Sequence, residues 1–65
     1  MDQIIGDIAG KIWQYLNDNG PATVNKLINE TGLGRNEVQR GVGWLAREGK
    51  ITIEVNGRIE TIILA

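Results

Sequence analysis

A chain of 65 residues, 42% of them hydrophobic, has room for one domain, which buries only about 60% of the surface its unfolded chain exposes. With no cysteine and no histidine, neither a disulfide nor the usual structural zinc site braces it, so packing or a partner subunit must. A formal net charge of -1 excludes a protein that coats nucleic acid through bulk charge, and leaves such binding to local arrangement.

In chain order, Ile5, Ile8, Ala9, Ile12 and Leu16 recur at spacings of three and four, which predicts an amphipathic helix over about 2–19. Asp2 suits its start, and Gly20-Pro21 stops it, because glycine accepts a left-handed conformation and proline cannot continue the ladder. Ala22, Thr23 and Val24 form a short extended stretch, and Asn25 is the expected N-cap of a second helix over about 25–31 that turns Leu27 and Ile28 inward. Thr31-Gly32-Leu33-Gly34 then breaks the pattern. Gly32 supplies a positive φ and Leu33 returns an apolar side chain to the core, a turn of the helix-turn-helix kind. A third helix is expected over about 35–48, with Val38, Val42 and Leu45 on its buried face and Gly49 closing it.

After Lys50 the period changes from 3.6 to 2: Ile51, Ile53 and Val55 alternate with Thr52 and Glu54, and Asn56-Gly57 signals a hairpin over about 51–64. A two-residue turn on Asn56-Gly57 would set Ile53 opposite Glu60 and Val55 opposite Arg58. A three-residue loop with Gly57 at positive φ avoids this, and places Ile51, Ile53 and Val55 on one face with Ile59, Thr61 and Ile63, so that register is expected.

Three helices followed by a two-stranded hairpin make an α+β chain with one domain over residues 1–65. The order of N-cap, helix, Gly-Leu-Gly turn, helix, glycine and two strands resembles the winged helix-turn-helix superfamily. More narrowly, Gly10-Lys11-Ile12-Trp13, Leu33 and the run from Gly43-Trp44-Leu45 through Ala46-Arg47-Glu48-Gly49-Lys50-Ile51 resemble a small prokaryotic winged helix-turn-helix family labelled a domain of unknown function. The resemblance implies that the exposed N-terminal part of the third helix enters the major groove of double-stranded DNA, which maps onto Arg35, Asn36, Gln39 and Arg40.

These residue types suit the task. Arginine meets guanine O6 and N7 with two donors, and Asn or Gln meets adenine N6 and N7 with a donor and an acceptor. Arg47 and Lys50 lie further along, suited to phosphate, and Arg58 at the hairpin tip reaches phosphate from the wing. Residues 35–50 carry Arg35, Arg40, Arg47 and Lys50 against Glu37 and Glu48 and are the only positive block of the chain. Glu37, Glu54 and Glu60 oppose DNA, and a plainly solvated polar face is the bland alternative.

Trp13 and Trp44 flank the buried stripes rather than centre them, as core-edge, subunit-interface or base-stacking residues would. Gly6 and Gly10 share a stripe with Trp13, and each costs about 0.5–1 kcal/mol relative to alanine inside a helix, which the approach of another helix would offset. That helix is either the third, with Gly41 and Gly43, or the first helix of a second copy. Ile62-Ile63-Leu64 present apolar surface on both faces of a strand. A homodimer covering Gly6, Gly10, Trp13, Trp44, Ile62 and Leu64 is therefore expected.

Serine is absent along with histidine and cysteine, so catalytic triads and thiol chemistry are unavailable, and no P-loop or metal-ligand spacing appears. The expectation is a non-enzyme without cofactor or metal. Met1-Asp2-Gln3 has no basic leader character, and no apolar run approaches the roughly 20 residues a span needs, which reads as cytoplasmic, with no membrane partner. Two functions stay open: a transcriptional regulator that binds DNA, and a winged-helix module for protein interaction or dimerisation.

Overall fold

The computed structural model describes residues 2–65, with side chains from Gly6 onward. Capping by Asp2 and the inward placement of Ile5 fall outside those side chains. The elements are α1 (Asp2–Asn19), β1 (Ala22–Thr23), α2 (Val24–Thr31), α3 (Arg35–Arg47), β2 (Ile51–Asn56) and β3 (Ile59–Leu64).

The helical stripes build the core as their spacing dictates. Ile8, Ala9, Ile12 and Leu16 of α1 are buried against Leu27 of α2 and Val38, Val42 and Leu45 of α3. Leu33 packs on this core from the turn. Each helix ends on a left-handed glycine. Gly20 and Gly32 have φ of 88° and 74°, and their N–H groups donate to the carbonyls of Leu16 and Ile28. At the end of α3, the N–H groups of Gly49 and Lys50 donate to Ala46 and Leu45, the paired bonds of a Schellman motif.

Two local features depart from the sequence reading at the start of α2. The N-cap is Thr23, not Asn25: the Thr23 hydroxyl accepts from the Lys26 N–H, and the helix begins at Val24. Thr23 also belongs to β1, which pairs antiparallel with β3 through Ala22 opposite Ile62 and Thr23 opposite Thr61. The hairpin is thus part of a three-stranded sheet in the order β1-β3-β2, where the sequence suggested two strands. One threonine therefore ends a strand and starts a helix, tying the wing to the helix-turn-helix.

The hairpin register differs from both that were considered. Asn56 pairs with Ile59, so the turn residues are Gly57 and Arg58. Gly57 has φ of 66°, and among the described residues no non-glycine residue has positive φ, the pattern of a type II′ turn, which needs glycine only at its first central position. Ile51, Ile53 and Val55 consequently share a face with Leu64, Ile62 and Glu60, not with Ile59, Thr61 and Ile63. The pairing of Val55 with Glu60 sets an apolar residue opposite a charged one, but it falls where the wing has left the core: Val55 is 64% exposed. No apolar environment is there to penalise the carboxylate.

Candidate nucleic-acid interface

Gly34 precedes α3 in extended conformation, and its N–H donates to Glu37 Oε1 at 2.9 Å. The carboxylate of Glu37 is thus turned back onto the helix start, where it also complements the positive end of the helix dipole. Arg35, Asn36, Gln39 and Arg40 are all exposed. Burial of Val38, Gly41 and Val42 orients α3, so that Arg35, Asn36, Gln39 and Arg40 face out by the helical period.

The fold brings three of the predicted residues to one groove. Arg35 and Gln39 of α3 line it together with Arg58 of the wing turn, and Thr23, Val24, Asn25, Ile59 and Glu60 complete its walls. Arg35 Nη2 donates to Asn25 Oδ1 at 2.8 Å. Asn25 was read from sequence only as a helix cap, and its place beside Arg35 was missed because the two lie ten positions apart on different helices. Glu60 enters the groove through the II′ register.

Arg47 is exposed near the end of α3. Lys50 stands elsewhere, on a second groove that it lines with Gly6, Ala9, Gly10, Trp13, Trp44 and Leu45. Trp13 and Trp44 are 37% and 36% exposed, neither sealed in the core nor free in solvent. A Cβ at Gly6, Gly10 or Gly43 would meet nothing within 4 Å, so α3 does not approach α1 at those glycines. It does so at Gly41, which is buried. Two members of the expected dimer surface need correction. Ile62 is 0% exposed and belongs to this chain's own core, because β1 and β2 flank it and the helices cover it. Leu64 is partly buried against the same core, opposite Ile51.

Among the described residues, no helix is long and apolar enough to cross a membrane.

A helix-turn-helix closed by left-handed Gly32, a third helix with a polar exposed face and a β-wing returning beside that helix define a winged helix-turn-helix domain. The chain belongs to the winged helix-turn-helix domain family DUF2582, whose model matches residues 1–64. It is 37% identical over 51 residues to the uncharacterized protein MJ1608 of Methanocaldococcus jannaschii, a match covering 75% of this chain and 73% of that one. The solution NMR structure of BT2368 from Bacteroides thetaiotaomicron superposes with a TM-score of 0.90 at 35% identity, covering 98% of this chain and 79% of that chain. A structure described as showing the DNA recognition and protein interaction domains of HOP2, and its homologous DNA pairing properties, superposes with a TM-score of 0.74 at 30% identity. That match covers 89% of this chain and 98% of the other.

Proposed function

We propose that this domain is a sequence-specific DNA-binding regulator of transcription that lays the N-terminal half of α3 in the major groove and acts as a homodimer. The observation that carries the reading is the shared groove of Arg35, Gln39 and Arg58, which sets two base-reading side chains of α3 beside a cation of the wing. Asn36 and Arg40 extend the same exposed helix face, and Arg47 suits a phosphate further along. Glu37 opposes DNA less than its position suggests, since its Oε1 is engaged by the Gly34 N–H. The likeness to the HOP2 domains, described by their DNA recognition, supports the same reading.

A net charge of -1 makes a single copy a weak ligand at physiological salt, because the electrostatic part of affinity grows with the number of phosphates neutralised and one copy reaches few. Two copies double the footprint. The groove of Gly6, Gly10, Trp13 and Trp44 is the surface proposed for self-association, with Leu64 at most a minor contributor. The same exposed tryptophans favour a second reading, in which the scaffold serves protein interaction or dimerisation without DNA.

Selection from a random duplex pool at two salt concentrations tests the proposal. A regulator enriches particular sequences and shows a salt slope that Arg40→Ala reduces. No enrichment, with binding undetectable at low salt, leaves the interaction-module reading.

A further inference from the structure

The hydrogen bond from Arg35 Nη2 to Asn25 Oδ1, 2.8 Å long, joins the start of α3 to the start of α2 across the groove. Helix α2 does not need Asn25 for its own start, because Thr23 supplies the cap. Both partners are exposed, so the bond is not the rescue of a buried polar group. Its physical consequence is for the arginine: an exposed side chain with many rotamers is tethered in one, with its planar fork set in advance. The tether occupies one of the five guanidinium N–H donors. Enough remain for the two bonds that guanine O6 and N7 accept.

A planar fork held in one rotamer suits two-bond contacts, and among base edges the one that offers arginine two acceptors is that of guanine, through O6 and N7. Gln39, one turn along α3, adds a second side chain suited to base edges.

We infer that Asn25 is a positioning residue, whose carboxamide holds the Arg35 guanidinium over the groove so that Arg35 reads a guanine. The inference rests on the proposal that α3 is a DNA-recognition helix, and it names the base type taken at one position of the site.

Base preferences from a random duplex pool, measured for the unaltered chain, Asn25→Ala, Asn25→Asp, Arg35→Ala and the Asn25→Ala/Arg35→Ala pair, test it. Arg35→Ala is expected to reduce preference for guanine at one position by roughly fivefold to a hundredfold. Asn25→Ala reduces preference at that same position with an unchanged salt slope, and the double variant loses no more than Arg35→Ala alone. Asn25→Asp keeps an acceptor for Nη2, so it retains the preference while its added charge lowers affinity for every sequence. If Asn25→Ala keeps the guanine preference, or weakens all sequences alike, the inference is overturned and the DNA reading stands. If the unaltered chain selects no duplex sequence, both fall together.

Discussion

Gly41 and Ile12 sit so close that no side chain fits between them: a Cβ at position 41 would lie 2.5 Å from Ile12 Cδ1 and 2.9 Å from Ile8 Cγ2. Glycine here is what lets α3 lie down on α1. Ile12 is fully buried, so its terminal methyl has nowhere to retreat. Replacing Gly41 with alanine gains about 1 kcal/mol of helix propensity but overpacks a closed core, which typically costs 1–3 kcal/mol. Gly41→Ala is therefore expected to lower the melting temperature. Gly43→Ala, where a Cβ meets nothing within 4 Å, is expected to raise stability by about 0.5–1 kcal/mol, or roughly 4 °C. Thermal unfolding of the two variants side by side checks the contrast, and equal effects at both positions would contradict the packing described.

Thr23 and Asn25 make a second pair that unfolding separates. Thr23→Ala removes the bond to the Lys26 N–H and is expected to cost about 1 kcal/mol, the usual value of a lost cap. Asn25→Ala removes only an exposed side-chain contact and is expected to change stability by less than about 0.5 kcal/mol. The reverse order in denaturant midpoints would restore Asn25 as the cap.

These two residues also show what the sequence carries and what it hides. Gly32 and the stripes at Ile8-Ile12-Leu16 and Val38-Val42-Leu45 were legible because positive φ and a 3.6-residue period leave marks in a single segment. Thr23 and Asn25 are both good cap formers two positions apart, and the choice between them came from β1. That strand has two residues, Ala22–Thr23, too few to show a period, and exists because β3 offers it an edge. The hairpin register escaped for a related reason. Hydrophobic patterning fixes register only where a face is buried, and beyond Ile51 and Ile62 the wing leaves the core. Ile62 escaped in the opposite sense, since the third strand that helps to bury it could not be seen in a run of three apolar residues. Arg35, Gln39 and Arg58 were legible as chemistry, while their meeting with Asn25 and Glu60 depended on that register and on the helix crossing.

Self-association makes a separate prediction. With open space over Gly6 and Gly10 and two part-exposed tryptophans beside them, sedimentation velocity is expected to detect a dimer at high micromolar concentration. Gly10→Glu, at an exposed position where a side chain meets nothing in its own chain, is expected to leave the fold intact and dissociate the dimer by setting a charge against an apolar surface. A strict monomer for the unaltered chain would rule out the proposed homodimer.

On the proposed function, the exposed start of α3 and the wing turn together meet DNA. The most direct test is the titration of the nitrogen-15-labelled domain with a duplex obtained by selection, followed by amide chemical shifts. The largest changes are expected on Arg35, Asn36, Gln39, Arg40 and Arg58. Changes confined to the Trp13 and Trp44 groove, or none at low salt, would contradict the proposed function.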